Sequence, residues 1–193
     1  MYRRILSSVL VASCVVSAQV ESTRHQVVEL PNGPLTRIVS PDKRWALVFE
    51  CPNDCQERNL WIEDSSHARR LVKKYDRSLA IAWAPDSKRF FVNDDFGSNG
   101  SEAFVIDSAT LKDIDLGEII TNHDVEAKQF LGAGHSYVRA KRWVNDSTLI
   151  VVLFGHFDGT PPRGVPAAFT TEYRVDLNGG VARIFQRSRE EPR

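Results

Sequence analysis

Eight acidic and imidazole side chains, Asp54, Asp94, Asp95, His123, Asp124, His135, His156 and Asp158, stand in stretches that join apolar runs. A carboxylate beside an imidazole can move a proton near neutral pH, and the same pair can hold a cation or a polar ligand. Their spacing matches no metal-ligand or nucleophile pattern. Gly97-Ser98-Asn99-Gly100-Ser101 is not a nucleophile elbow, because no strand-to-helix setting surrounds it. Gly132-Ala133-Gly134 lacks the dinucleotide fingerprint and the parallel fold that fingerprint needs. No catalytic residue, metal or cofactor is therefore assigned. Loops are polar because they are wet, and Asp and Asn favour turns. Asp94, Asp95, His123, Asp124, His135, His156 and Asp158 are kept as candidate ligand-binding residues.

The elements that must position them follow a repeat whose clearest copy runs from Ser78 to Asp107. Leu79–Trp83 is an apolar run ending at Pro85-Asp86-Ser87, where proline pre-sets one backbone angle and aspartate can bond the backbone two residues on. Phe90–Val92 restarts a strand, which predicts a hairpin. A polar loop is expected over Asp94–Ser101, then a third strand over Ala103–Ile106.

The same parts recur on either side. Before it lie Ser40-Pro41-Asp42 with Trp45–Phe49, then Leu60-Trp61-Ile62-Glu63-Asp64; after it lie Trp143-Val144-Asn145-Asp146 with Leu149–Phe154, then Tyr173-Arg174-Val175-Asp176. The turn aspartates Asp42, Asp86 and Asp146 are 44 and 60 residues apart, and Asp64, Asp107 and Asp176 are 43 and 69 apart. Insertions around Thr121–His135 and Gly155–Ala168 account for the longer intervals. A period near 44 residues with about four strands per copy is a β-propeller blade signal.

Ser40-Pro41-Asp42 followed by Leu60-Trp61-Ile62-Glu63-Asp64, and Ala84-Pro85-Asp86 followed by Phe104-Val105-Ile106-Asp107, resemble the TolB-type propeller repeat, in which a Ser-Pro-Asp-Gly-Lys hairpin precedes a strand ending in aspartate. The likeness spans Thr36–Phe185, and the turn glycine of that family is absent from all three copies. It implies a protein-binding or sensing platform of the bacterial envelope.

Trp45–Phe49 and Leu149–Phe154 are continuous apolar runs, as expected of sheets covered on both faces. Trp83 and Trp143 both stand three residues before a turn aspartate and are expected to fill the space between sheets. The expected fold is all-β, with three propeller-like blades of about four antiparallel strands. Closed propellers have about four to eight blades. Three imply an open stack whose insertions cover the ends, or a homodimer. His25–Leu30 is expected to supply a missing strand to the last blade, and Glu118–Phe130 reads as an exposed loop. In such a blade, the loop between the second and third strands and the connection to the next blade emerge at one end, and there the candidate residues collect.

Met1–Ala18 has Arg3 and Arg4, an apolar run and Val16-Ser17-Ala18, the layout of a secretory signal too short to span a bilayer. Cleavage after Ala18 is preferred to acylation at Cys14 within Val11-Ala12-Ser13-Cys14. A single exported domain over 19–193, periplasmic or secreted, results. It carries 23 basic and 25 acidic residues, without the basic excess that nucleic acid requires. Cys51 and Cys55 are expected to form a disulfide in an oxidising compartment. The expected function is non-catalytic binding of a protein or peptide through the loop face. A small hydrolase or lyase using the histidines, and a purely structural envelope component, are the alternatives.

Overall fold

Continuous apolar strands need a neighbour on each face, and the chain supplies one by stacking sheets. The computed structural model describes residues 18–20, 26–31, 35–50, 58–131, 133–161 and 163–190. Cys14, Cys51, Asp54, Cys55 and all of the signal except Ala18 lie outside these. The N-terminal strands are β1 (Ala18–Val20) and β2 (Val28–Leu30). The first blade is β3 (Leu35–Val39), β4 (Trp45–Glu50), β5 (Arg58–Asp64) and β6 (Arg69–Tyr75). The second is β7 (Ser78–Trp83), β8 (Arg89–Asp95), β9 (Gly100–Asp107) and the short β10 (Asp113–Asp115). Helices α1 (Leu116–His123) and α2 (Val125–Phe130) lead to the third blade, β11 (His135–Asn145), β12 (Thr148–His156), β13 (Ala168–Asp176) and β14 (Val181–Glu190). Within each blade consecutive strands pair antiparallel. The fold is all-β, open and propeller-like.

The turn chemistry recurs in all three copies. Asp42 and Asp86 accept the backbone N–H two residues on, from Arg44 and Lys88, each at 3.0 Å. Asp64, Asp107 and Asp176 do the same at the third-to-fourth-strand turns, from Ser66, Ala109 and Asn178. In the third blade Asn145, rather than Asp146, holds the turn by accepting from Ser147 at 3.0 Å. Register shifts between Ala140 and Arg142 and between Trp143 and Asn145 interrupt β11, and Asn145 comes to lie opposite Thr148. Lys43 and Ser87 both take φ of 63°, the left-handed conformation for which the missing family glycine is suited.

Side-chain alternation divides the second blade between two cores. Leu79, Ile81, Trp83, Phe90 and Val92 pack against Ile38, Leu47, Phe49 and Ile62 of the first blade. Ala82, Phe91, Ala103 and Val105 pack against Trp143, Leu149 and Val151 of the third. Trp83 and Trp143 are each 2% exposed, as their repeat position predicts.

Three expectations are corrected. β2 pairs with β7 of the second blade, Leu30 opposite Leu79, rather than with the last blade. The reason is burial: Val28 and Leu30 enter the core between the first two blades. Residues 116–130 form helices, because Leu116, Ile120, Ala127 and Phe130 recur at helical spacing and are all buried at 0% exposure in the core shared by the second and third blades. Asp115 caps α1 by accepting from Gly117 and Glu118, and Asp124 caps α2 by accepting from Glu126. Asp94 and Asp95 belong to β8 rather than to a loop, since the ladder continues to Ser78 opposite Asp95.

On the face of the first blade turned away from the second, Glu63 is buried at 2% exposure. It accepts from Arg37 at 2.7 Å and Arg69 at 2.9 Å and meets His67 Nδ1 at 2.7 Å. Burial, the largest influence, pushes its carboxyl up, but the hydrogen bonds from His67, Arg37 and Arg69 together outweigh it and hold the group at about 2 against an ordinary 4.5. The folded-state value lies below the unfolded one, so the stabilisation is complete above about pH 4.5 and is lost as pH falls towards 2. The full displacement corresponds to about 3 kcal/mol. Exposure of His67 and Arg69 screens it to about 2 kcal/mol. Denaturant unfolding across this window should show Glu63→Gln less stable than wild type by that amount near neutral pH, the gap closing by about pH 2. A constant gap at all pH values would contradict the account.

Candidate functional site

Of the seven candidate residues, the structure brings three together. His135 opens β11 and His156 ends β12, directly opposite each other in the ladder. Their rings stack with centroids 4.3 Å apart and planes 11° off parallel. Asp158 follows in the next loop, its Oδ1 lying 3.3 Å from His135 Nε2 and 3.7 Å from His156 Nε2. His135 is partly covered, while His156 and Asp158 are exposed.

The other four are held elsewhere. Asp94 is buried and pairs with Lys73 Nζ at 2.6 Å. Asp95 accepts from Ser78 at 3.1 Å and from Arg139 at 2.8 Å, tying the second blade to the third. The exposed His123 sits in the last turn of α1, its Nδ1 2.9 Å from the Ile119 carbonyl oxygen, a reach of one helical turn. Asp124 accepts from the Tyr173 hydroxyl at 2.7 Å and pairs with Arg187, which also binds Glu126. Burial works against the Asp124 charge, but Tyr173, Arg187 and the α2 backbone outweigh it and lower its pKa. Burial, aided by Asp124, raises that of Tyr173. This group anchors the helices to the third blade.

Beside the histidines lies a cleft of about 390 Å³. Its floor contains one cross-strand row, Tyr137, Phe154, Thr170 and Ser188, each opposite the next across β11 to β14. Tyr137 and Phe154 stack with centroids 4.9 Å apart, while Thr170 and Ser188 are exposed hydroxyls. Across β11 is a second cleft of about 430 Å³, lined by Ser136 and Val138 together with Phe96, Glu102, Asp115 and Glu118. Successive strand residues point to opposite sides, so the start of β11 separates the two. Both open at the end of the blades that carries the connections between them. Sequence reasoning missed Tyr137, Phe154, Thr170 and Ser188. Only Tyr137 carried a local signal, since it stands two residues from His135 and so on the same strand face.

No protein-family model and no curated protein sequence matches the chain. Among solved structures, it is similar to the β-propeller domain of the Trilobed protease from Pyrococcus furiosus, with 13% identity and a TM-score of 0.45 over 82% of this chain and 44% of that one. TolB from Acinetobacter baumannii aligns with 14% identity and a TM-score of 0.37 over 89% of this chain and 46% of that one. An acylaminoacyl peptidase from Pyrococcus horikoshii aligns with 16% identity and a TM-score of 0.42 over 78% of this chain and 24% of that one. The chain spans less than half the length of each. No helix among the described residues is long and apolar enough to cross a membrane.

Proposed function

We propose that residues 19–193 form one exported domain that binds a polypeptide segment across the loop end of its second and third blades. The observation that carries this is the pair of clefts on either side of β11, with an aromatic floor in one and the carboxylates Glu102, Asp115 and Glu118 in the other. Stacked aromatic rings offer a flat apolar platform, exposed hydroxyls beside it can pair with a backbone, and carboxylates take a basic side chain. Two separated recognition points suit an extended chain better than one compact small molecule. Each volume lies within the range of about 300–1,000 Å³ usual for ligand sites. The leader-like Met1–Ala18 supports delivery to an extracytoplasmic compartment.

Panning a random peptide library displayed on phage against the immobilised chain tests this. Enriched peptides should pair an aromatic or large apolar residue with a lysine or arginine. Thr170→Arg, which fills one cleft, and Glu118→Lys, which inverts charge in the other, should each weaken the selected peptides at least about tenfold. Both positions are exposed, so the fold should tolerate the changes. Peptides indifferent to both variants, or no enrichment over a blank surface, would refute the reading.

A further inference from the structure

The His135–His156–Asp158 cluster has the donor set and spacing of a metal centre; the two imidazole planes lie 11° from parallel, so the exposed His156 ring has to turn for both in-plane Nε2 lone pairs to meet one ion. Two imidazole nitrogens and a carboxylate oxygen, all within 4.8 Å of one another, make a three-ligand group of nitrogen and oxygen donors. A tetrahedral ion with bonds of about 2.0–2.1 Å keeps its ligand atoms about 3.3–3.4 Å apart. The separations of 3.3 and 3.7 Å from Asp158 Oδ1 to the two Nε2 atoms are close to that value.

Tyr137 decides which His135 nitrogen is available. Its hydroxyl has one proton, which it donates to the Ser98 carbonyl at 2.6 Å. The 3.2 Å contact between His135 Nδ1 and the hydroxyl oxygen then takes its proton from the histidine. In the neutral ring this leaves the lone pair on Nε2, the atom aimed at Asp158. A lone pair facing a carboxylate oxygen is repulsive, and either a proton on Nε2 or a metal cation between the two atoms relieves it. A hydrogen bond on the second ring nitrogen is also the contact that orients metal-ligating histidines.

Two glycines make the approach possible. A Cβ at Gly134 would lie 2.2 Å from Asp158 Oδ2, and one at Gly155 would lie 2.0 Å from the His135 carbonyl oxygen. Side chains there would push Asp158 and the first residue of β11 out of place.

We propose that His135 Nε2, His156 Nε2 and the Asp158 carboxylate bind one divalent first-row transition-metal ion of the zinc type, with a coordination position left open beside the aromatic cleft. This centre is independent of the peptide reading, because its test uses the metal alone. Metal-free chain is titrated with Zn²⁺ by calorimetry and with Co²⁺ by visible absorption, folding being checked by circular dichroism. One ion per chain should bind. His156→Ala and Asp158→Ala should each weaken binding at least about 100-fold, and Tyr137→Phe by about 10–100-fold through loss of the contact that orients His135. His123→Ala and the double variant Cys51→Ser/Cys55→Ser should bind as wild type does. Both His156 and Asp158 side chains are more than half exposed, at 53% and 60%, so these variants should fold. Absence of uptake, unchanged affinity in His156→Ala, or loss of binding in the cysteine variant would each overturn the proposal.

Discussion

Trp143→Ala should lower the unfolding free energy by about 3–5 kcal/mol, and Trp83→Ala by a similar amount. The two side chains do the same work at successive blade junctions. Trp143 stacks on Phe91 of the second blade with centroids 6.3 Å apart, and its Nε1–H donates to the Ala82 carbonyl at 3.1 Å. Trp83 meets Phe90 edge-on at 5.0 Å and donates to the Ile38 carbonyl of the first blade at 3.2 Å. Truncation removes a large apolar body from a fully packed site together with a buried hydrogen bond. Phenylalanine at either position should retain most of the packing and lose only the hydrogen bond, at about 0.5–1.5 kcal/mol. Urea denaturation of the four variants measures this. A loss below about 1 kcal/mol for both alanine variants would mean that the junctions are not held by the tryptophans.

Asn93→Ala should cost about 2–5 kcal/mol. Asn93 is 3% exposed on β8, and its amide substitutes for a strand edge. Nδ2–H donates to the Ala140 carbonyl at 2.9 Å, and Oδ1 accepts from the Ala140 N–H at 2.7 Å. Alanine would leave both backbone groups of a buried residue unpaired, each at about 1–3 kcal/mol. Aspartate is expected to be no better, since it can accept from the N–H but cannot donate to the carbonyl. Hydrogen exchange provides a local readout: the Ala140 amide should exchange faster in Asn93→Ala, relative to amides of the first blade, than in wild type. Unchanged protection there would show that the contact does not fasten the second blade to the third.

The hairpins were legible because their chemistry is local. Asp42 and Asp86 each bond the backbone two residues on, and a continuous apolar run such as Leu79–Trp83 requires cover on both faces whatever lies beyond it. A helical signal was also present in residues 116–130. Asp115 followed three residues later by Glu118 opens a helix, and Leu116 with Ile120 marks one face of it. The charges of Asn122-His123-Asp124 obscured that signal, because Asp124 is polar as a cap and ion-pair partner rather than as an exposed loop residue.

The sequence alone determined the period, the turn positions of the first two blades and the tryptophans at the blade junctions, all set by interactions within a few residues or by the mere presence of a covering sheet. The partner of a three-residue strand is not encoded that way, since any exposed edge satisfies its backbone. Tertiary packing assigned β2 to the second blade because Val28 and Leu30 find apolar cover there. Polar residue types likewise did not separate binding groups from structural ones. Asp94, Asp95 and Asp124 became ion-pair partners once Lys73, Arg139 and Arg187 were folded against them. Only the ladder of β11 with β12 placed His135 opposite His156, residues separated by 21 positions in the chain and by one hairpin in space.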